Sequence, residues 1–450
     1  MNVIWFVVDT LRADHLGCYG YFRQTSPNLD QLAREGVLFE DSYASAIATG
    51  PGFTSLFTGR AAINHGFYLT PWNVANAPLL DDRVVTLPEL IQARGDYTTA
   101  AFDNLINFRS HMKHFVRGFE FYTNVTRSPA WLHHHIRADE VNHRLLPWLE
   151  RHADEPFFVF VHYWDPHTPY NMPDDFRGRF DQASDDLVTE RAADGYDYVP
   201  GWGRADALPG GGEPESVDPY DVVERSIDLY DDEVFYTDHS IGRVREKLEE
   251  LGVLDETALI VTSDHGEDLG LHGLWGHGTV HNTTIRVPLI IRDPQHLPAG
   301  ERIEGFVQHA DDLPTILEYF PQQSRPDFGR VNVEEAMPEM SSQFDGASLL
   351  ALARGERDAP EEIIVESATQ RAYISPPWKL IWYKGDRASE LFHLRNDPLE
   401  LNDRAGEARG VRDELSEKLE AWVARNLAGE RTDPLFATGG AWTCYIEEEE

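Results

Sequence analysis

Three short apolar segments constrain the fold of this chain most strongly. They are Asn2–Val8, Phe157–Tyr163 and Ala258–Thr262, and none of them alternates between apolar and polar residues. A strand with this pattern is covered on both faces, as in a parallel sheet packed between layers of helices. Segments with helical spacing separate the three strands, at Pro27–Gly36, Val84–Ala93 and Val222–Leu251. The sequence therefore predicts an α/β fold with a mostly parallel sheet flanked by helices.

The pattern changes in the last quarter of the chain. Residues 362–366, 373–374 and 379–383 have the composition of short antiparallel strands, and Val411–Gly429 has that of an amphipathic helix. We expect a large domain over residues 1–355. A smaller α+β subdomain with a terminal helix and an acidic tail is expected over 356–450.

The charge balance excludes several classes of partner. The chain has 77 Asp and Glu against 39 Lys and Arg, a net charge of −38. Nucleic acids and anionic lipids are bound through clustered basic residues, so neither is an expected partner. Only five of the basic residues are lysines. Because salt screens such self-repulsion, we interpret the composition as adaptation to a salty cytoplasm, that is, as halophilic.

Cellular location and redox state follow from what the sequence lacks. No apolar run approaches the roughly 18 residues of a membrane-spanning helix, and no basic, apolar leader precedes the first strand. The two cysteines, Cys18 and Cys444, indicate no disulfide framework. We expect a cytoplasmic protein without a membrane partner.

Polar side chains follow each of the three buried strands directly. Asp9 follows the first strand, Asp165 and His167 follow the second, and Asp264 and His265 follow the third. Ligands of open α/β sheets bind beyond the carboxyl ends of the strands. Carboxylates and imidazoles at that edge suit a divalent cation. The segment after Asp264 also contains three more histidines, His272, His277 and His281.

Longer stretches of the sequence resemble the sulfatase-like branch of the alkaline phosphatase superfamily. The resemblance is carried by VVDTLRADHLGCYGY, TSPNLDQLAREGVLFEDSYASA, SLFTGR, YWDPHTPY, YTDHSIG, SDHGEDLGLHGLWGHGTVHNTTIRVPLII, QHADDLPT and ELFHLRNDPLE. It implies an alkaline-phosphatase-like α/β domain with a C-terminal α+β subdomain. It also implies a metal-dependent hydrolase of phosphoric or sulfuric esters.

The resemblance breaks at the nucleophile. Sulfatases carry a C/S-x-P-x-R motif whose first residue is oxidised to formylglycine. Here Thr49 stands at that position, the proline is kept as Pro51, and Phe53 replaces the arginine. Threonine cannot become formylglycine, and neither cysteine lies at this position.

Two further differences accompany Thr49. Thr10 replaces a second metal-binding aspartate, and His277 replaces a sulfate-binding lysine. Threonine is the nucleophile in the phosphodiesterase, phosphonoacetate hydrolase and phosphoethanolamine transferase branches of the superfamily. Histidine binds the second metal in its two-metal branches. We interpret the substitutions as a change towards phosphoryl transfer rather than as decay of the site.

The resemblance implies the following roles. The first metal is assigned to Asp9, Thr49, Asp264 and His265. A second metal would use His167 and His277, with Asp165 as a further candidate. With a single metal, His167 and His277 would instead contact the anionic oxygens or protonate the leaving group. Arg12 either bridges to Asp9 or the substrate or forms a structural ion pair. Supporting or structural roles are left for Asp14, His15, His272 and His281.

The predicted function is hydrolysis of a phosphate mono- or diester through a covalent Thr49 intermediate, with one or two Zn²⁺, Mn²⁺, Mg²⁺ or Ca²⁺ ions. The substrate is expected to be a small-molecule or glycan ester. Alternatives are a sulfatase with a formylglycine-free route, a phospho-group transferase and a non-catalytic metal-binding homologue. Four aromatic residues are expected either to stack on the substrate or to pack within the protein: Phe67, Tyr68, Trp72 and Trp131. The sequence leaves the oligomeric state open, and it gives no reason to expect metal binding at His133, His134 and His135.

Overall fold

A computed structural model describes residues 1–68, 80–81, 83–104, 112–124, 137–180, 219–323, 344–427 and 432–437. Several features named above lie outside the described residues. They are Trp72, Trp131, the three histidines at 133–135, Cys444 and the acidic tail.

The predicted mostly parallel sheet is confirmed, and it has eight strands in the order β10-β2-β9-β6-β1-β5-β3-β4. The strands are β1 (Asn2–Val8), β2 (Val37–Tyr43), β3 (Thr98–Asp103), β4 (Phe121–Asn124), β5 (Phe157–Tyr163), β6 (Thr257–Ser263), β9 (Leu289–Arg292) and β10 (Glu301–Gln308). Strand β9 runs antiparallel to both of its neighbours. A separate two-stranded ribbon pairs β7 (Asp268–Leu269) with β8 (Trp275–Gly276).

Helices cover both faces of this sheet. The α-helices of the described residues, not all of which pack on this sheet, are α1 (Pro27–Glu35), α2 (Thr49–Thr58), α3 (Ala62–His65), α4 (Leu87–Arg94), α5 (Ala138–His152), α6 (Pro219–Glu250), α7 (Asn282–Ile285), α8 (Asp312–Glu318), α9 (Leu349–Ala353), α10 (Arg409–Leu427) and α11 (Pro434–Ala437). Alternate residues of β1 face opposite cores, one built with α1, α5 and α6 and the other with α2, α4 and α8. This explains why β1 is apolar throughout. Within the described part of the chain, no helix combines the length and apolarity needed to cross a bilayer.

The C-terminal part forms a second, antiparallel sheet. Its strands are β11 (Ile363–Glu366), β12 (Gln370–Ser375), β13 (Trp378–Tyr383) and β14 (Glu390–His393), in that order. Helix α10 packs on one face through Leu415 and Leu419. The other face joins a cluster with Tyr43 of β2 and with Val287, which lies two residues before β9. The predicted α+β character of this region is confirmed, with β14 as an additional strand.

Strand β11 attaches the small sheet to the segment that leads into α2. Ala46 forms a parallel bridge with Glu366. The backbone N–H of Ile47 donates to the carbonyl of Glu366 at 2.9 Å, and the N–H of Glu366 donates to the carbonyl of Ser45 at 3.2 Å. The Glu366 side chain also accepts from the N–H of Ile63 and from the Tyr68 hydroxyl. The start of α2 is therefore held by the C-terminal sheet.

Candidate active site

The carboxyl ends of two adjacent strands, β1 and β6, bring the first group of predicted ligands together. Strand β1 lies between β5 and β6 and is parallel to both. Asp9 follows β1, whereas Asp264 and His265 follow β6. One ligand atom from each of the three side chains lies within 4.8 Å of the other two. All three residues are fully buried.

The carboxylates of this group lack the partners that buried charges need. Both oxygens of Asp9 and Oδ2 of Asp264 are buried without a hydrogen-bond partner in the described structure. Nε2 of His162 is 3.6 Å from Asp9 Oδ2, too far for a hydrogen bond. Burial raises the pKa of Asp9, and burial together with the charge of Asp9 raises that of Asp264. The donor set therefore fits a divalent cation, which would satisfy these oxygens.

His265 presents a lone pair to the same point. Its Nδ1 lies 2.9 Å from the carbonyl oxygen of Gly266, and since a carbonyl only accepts, Nδ1 carries the proton. Its Nε2 lies 3.3 Å from Asp264 Oδ2. Burial and the nearby His277 hold the pKa of His265 well below its usual value. A neutral imidazole with an open Nε2 is the form that binds metals.

Thr49 joins this group at the first residue of α2. Its Oγ1 lies 3.3 Å from Nε2 of His265, and the residue is fully buried. The N-terminus of a helix carries partial positive charge, which favours an anionic oxygen. The hydroxyl is thus placed beside the ligand group and at a point that stabilises negative charge.

A second group adjoins the first. Ligand atoms of His167, Glu267 and His277 lie within 4.8 Å of one another. Nδ1 of His277 is 3.1 Å from Glu267 Oε2. Burial opposes the charged imidazole of His277, but Glu267 outweighs it and raises the His277 pKa to about 9. The His277 ring stacks on that of His265 with centroids 4.3 Å apart, so the two groups are contiguous.

Asp165 does not contribute the carboxylate of the second group in this structure. Its Oδ2 accepts a hydrogen bond from the N–H of Ala138 at 2.8 Å, at the start of α5. Glu267 takes that place and was not singled out from the sequence. Its position three residues after Asp264 was the available signal, but its pairing with His277 depends on the ribbon β7–β8.

The Arg12 side chain forms hydrogen bonds within the loops that carry the ligands. Its Nε and Nη2 donate to Asp14 at 2.9 and 2.7 Å, and its Nη1 donates to the backbone carbonyl of Glu267 at 3.0 Å. The guanidinium is almost fully buried. The sequence left two roles open for Arg12, a bridge to Asp9 or the substrate and a structural ion pair. The contacts with Asp14 are those of a structural ion pair.

His162 is a site residue that sequence reasoning missed. It lies in β5 with Nε2 towards Asp9, and Nδ1 donates to Asp103 at 2.9 Å. Burial opposes its charge, but the hydrogen bond to Asp103 and the negative charges of Asp103 and Asp9 raise the His162 pKa to about 9. The available signal was a histidine near the end of the apolar strand FFVFVHY. Nothing in the sequence indicated that it would face Asp103 and Asp9.

Phe53 and Thr10, the two remaining positions that differ from the sulfatase pattern, lie in different surroundings. Phe53 is fully buried, and its ring lies 4.7 Å from that of His162 and 6.1 Å from that of Phe160. Thr10 donates its N–H to Asp264 Oδ1 at 3.2 Å from a left-handed backbone with φ of 56°. The core occupies the site of the motif arginine, whereas Thr10 supports a ligand.

The other predicted residues fall elsewhere. His15 pairs with Asp231 of α6 at 2.7 Å. Phe67 and Tyr68 are buried and therefore pack rather than offer a face to a substrate. His272 and His281 form a group of their own with Glu400.

Comparison with known proteins identifies the family. Residues 1–322 match the family model described as Sulfatase. The chain belongs to the sulfatase family. It is accordingly an ester hydrolase of a family that depends on a divalent metal ion.

Relatives of this sulfatase-family protein differ in the substrates that their names state. It is 28% identical to the multifunctional alkaline phosphatase superfamily protein PehA of Trinickia caryophylli, over 71% of this chain and 73% of that protein. It is 24% identical to an N-acetylglucosamine-6-O-sulfatase of Bacteroides thetaiotaomicron, over 90% and 83% of the two chains. The fold is similar to that of a phosphonate monoester hydrolase of Agrobacterium radiobacter, with a TM-score of 0.71 and 22% identity over 95% and 96% of the chains. The alkaline-phosphatase-like fold is thereby confirmed.

Proposed function

We propose that this protein hydrolyses a phosphate mono- or diester through a covalent intermediate on Thr49. The observation that carries the proposal is the contact of the Thr49 hydroxyl with His265, 3.3 Å away, at the formylglycine position of the family motif. A threonine there has no route to formylglycine. It retains a hydroxyl that can attack phosphorus directly.

Asp9, Asp264 and His265 would hold a divalent cation, with Thr49 as a further ligand. When bound, such a cation lowers the pKa of a neighbouring hydroxyl and neutralises charge that develops on the phosphoryl oxygens. The unpaired oxygens of Asp9 and Asp264 support this assignment. His167 and His277, now with Glu267 in place of Asp165, form the candidate group for a second cation. The chemistry of the two groups leaves Zn²⁺, Mn²⁺, Mg²⁺ and Ca²⁺ as candidates.

The reaction then runs in two steps. The Thr49 hydroxyl releases its proton to solvent water as its oxygen attacks phosphorus, an O–P bond forms, and the bond from phosphorus to the leaving alcohol breaks. With one cation bound, His167 or His277 supplies the proton that the alcohol needs. Water next attacks the same phosphorus, the bond from phosphorus to Thr49 breaks, and one proton of that water passes to the threonine oxygen, which regenerates the hydroxyl.

Arg12 acts in this scheme as a positioning residue. It joins Asp14 to the backbone of Glu267 and so fixes the loop that carries four of the proposed ligands, Asp264, His265, Glu267 and His277. We assign it no contact with the substrate. The substrate itself is a small-molecule or glycan ester, in keeping with the N-acetylglucosamine-6-O-sulfatase among the relatives.

A formylglycine-free sulfatase is the second candidate. The family match and the sulfatase relatives favour it, whereas the phosphonate monoester hydrolase fold neighbour shows that this fold also accommodates phosphorus chemistry. The two candidates differ in which ester forms an adduct with Thr49.

The test compares wild type with Thr49→Ala in high salt. Metal-stripped protein is supplied with Zn²⁺, Mn²⁺, Mg²⁺ or Ca²⁺ and assayed on p-nitrophenyl phosphate, bis-p-nitrophenyl phosphate and p-nitrophenyl sulfate. We expect metal-dependent phosphate or diester turnover that Thr49→Ala abolishes. Thr58→Ala is the matched control, because Thr58 lies buried on the same helix and, among the described residues, its hydroxyl bonds only the carbonyl of Thr54.

Acid-quenched protein analysed by peptide mass spectrometry supplies the second readout. A phosphate adduct on the peptide that contains Thr49 is expected in wild type and in Thr58→Ala. Phosphate turnover that survives in Thr49→Ala would refute the Thr49 mechanism. Turnover of the sulfate ester alone would favour the second candidate.

A further inference from the structure

His309 is a buried histidine that connects the segment before Thr49 to the strand that precedes two of the proposed ligands. Its Nε2 donates to the carbonyl oxygen of Ser263, 2.8 Å away, at the end of β6. Its Nδ1 accepts from the backbone N–H of Ser45 at 3.3 Å. Ser263 immediately precedes Asp264, and Ser45 lies four residues before Thr49. One imidazole therefore spans the gap from β6 to the segment that leads into α2.

Both contacts require the neutral imidazole with its proton on Nε2. A carbonyl oxygen only accepts and a backbone N–H only donates, so the two partners leave one tautomer. Burial lowers the pKa of His309 to about 3, although the bond to the Ser263 carbonyl opposes this effect. The bridge is therefore intact at neutral pH.

The turn that carries His309 is itself held in place. It spans His309–Asp311, between β10 and α8. The N–H of Gln308 donates to the Asp311 carboxylate at 2.8 Å, and the N–H of Ala310 donates to the Ser45 hydroxyl at 3.3 Å. A side chain can position its partners only when its own surroundings hold it, and this condition is met here.

The two segments that His309 connects are also in direct contact with each other. A Cβ on Gly52 of α2 would lie 2.8 Å from the backbone oxygen of Asp264, so α2 and the ligand strand are as close as their backbones allow. This contact limits how near the two segments come, and the imidazole limits how far apart they move. The Thr49 hydroxyl lies 3.3 Å from Nε2 of His265 within these limits. A displacement of about 1 Å in such an arrangement can cost about 100-fold in rate.

We propose that His309 is a positioning residue that sets the distance from the Thr49 hydroxyl to the ligands Asp264 and His265. It acts through the backbone of its two partners and not on the substrate. The inference rests on the proposed function, since the spacing affects the rate only if Thr49 is the nucleophile. Loss of the bridge should lower kcat and slow formation of the Thr49 adduct. KM and the number of bound metal ions should stay the same.

Substitutions at His309 separate the two contacts. His309→Gln keeps a donor near the position of Nε2, His309→Asn keeps an acceptor near the position of Nδ1, and His309→Leu keeps neither. We expect kcat on the ester that wild type cleaves to fall by about 100-fold in His309→Leu and by about 10-fold in each of the other two.

His65→Gln is the matched control. His65 is a buried histidine that contacts α2 through Ser55 and accepts from the N–H of Phe67, and among the described residues it has no hydrogen bond to β6. Its substitution should lower stability and leave kcat unchanged.

Hydrogen exchange at the backbone of Ser45 gives a readout that does not depend on turnover. Nδ1 of His309 protects this N–H. Peptides that cover residues 44–48 should exchange faster in His309→Gln and His309→Leu, because the acceptor is lost. In His309→Asn and His65→Gln they should exchange as in wild type. Mass spectrometry measures the exchange, and metal analysis of the same samples gives the number of bound ions.

The outcomes separate this inference from the proposed function. Wild type that turns over an ester without an adduct on Thr49 would overturn the proposed function and this inference with it. If the adduct forms, a folded His309→Leu with the kcat and the Ser45 exchange of wild type would overturn the inference alone. If His309→Leu does not fold, His309→Gln and His309→Asn decide in the same way. A raised KM or a loss of metal in place of the fall in kcat would also refute the positioning role.

Discussion

At the scale of single residues, Phe53 shows how far this site has moved from the sulfatase pattern. Its ring packs among His162, Phe160 and Phe115. We predict that Phe53→Arg, which restores the motif residue, destabilises the protein by more than about 3 kcal/mol because it buries an unpaired charge. Phe53→Leu should cost about 1–1.5 kcal/mol. Urea unfolding measures both values, and a Phe53→Arg variant as stable as wild type would contradict the packing argument.

A second prediction concerns His65 and the stability of the protein in acid. Its Nδ1 accepts from the N–H of Phe67 at 3.0 Å, so its Nε2 donates to Ser55 at 3.1 Å, and protonation would set a donor against a donor. Burial, then the nearby His114, lowers the His65 pKa to about 3. The folded value lies below the unfolded value of about 6.5, so this stability is present above pH 6.5 and is lost as the pH falls towards 3.

Between pH 6.5 and 5 the free energy of unfolding should fall, and protonation of His65 should account for about 2 kcal/mol of that fall. Unfolding of wild type and His65→Gln at the two pH values measures it. The variant is expected to show a smaller loss. Equal losses in the two proteins would show that His65 is not a source of the acid sensitivity.

The predictability of the site also differs from residue to residue. Asp9, Asp264 and His265 could be predicted because each follows an apolar strand directly, and the resemblance to the family located Thr49. Glu267 and His162 could not be predicted. Their partners, His277 and Asp9, are set by the ribbon β7–β8 and by the order of strands in the sheet, and neither is a local property of the sequence.

At the scale of elements, α6 carries acidic side chains that hold the fold together. Asp231 is fully buried and accepts from Arg23, Tyr21 and His15, each at 2.7 Å. We predict that Asp231→Asn costs about 3 kcal/mol or more, because it leaves Arg23 and its neighbours incompletely paired. Glu249→Gln on the same helix should change stability by less than about 0.5 kcal/mol, since Glu249 is exposed. Chemical unfolding of the two variants measures the free energy of unfolding of each. Equal losses in Asp231→Asn and Glu249→Gln would contradict the prediction.

The elements that were predicted and those that were missed differ in their patterns. Strands β1, β5 and β6 were found because both of their faces are buried. Strand β10 was missed because its first half is largely exposed and a register shift interrupts its pairing with β2. Strand β2 was missed as well, and β14 has only four residues. A hydrophobic pattern is weak in such strands, since tertiary contacts rather than local sequence determine them.

At the scale of the whole molecule, the net charge of −38 predicts a protein stabilised by salt. Repulsion among exposed carboxylates opposes the compact state, and KCl screens it. We expect the thermal midpoint to rise between 0.1 and 2 M KCl. Each kcal/mol of relieved repulsion corresponds to about 2 °C or somewhat less in a chain of this size. Scanning calorimetry measures the shift, with sucrose as an uncharged control, and a midpoint independent of KCl would argue against adaptation to salt.

The bridge between Ala46 and Glu366 has a consequence for how the enzyme is made. A ribosome produces the segment before Thr49 early and the strand that holds it late. A nascent chain that already contains every catalytic ligand still lacks the backbone bonds from Glu366 to Ser45 and Ile47. We therefore expect catalytic competence to be acquired near the end of translation, and fragments released by premature termination before β11 to be inert.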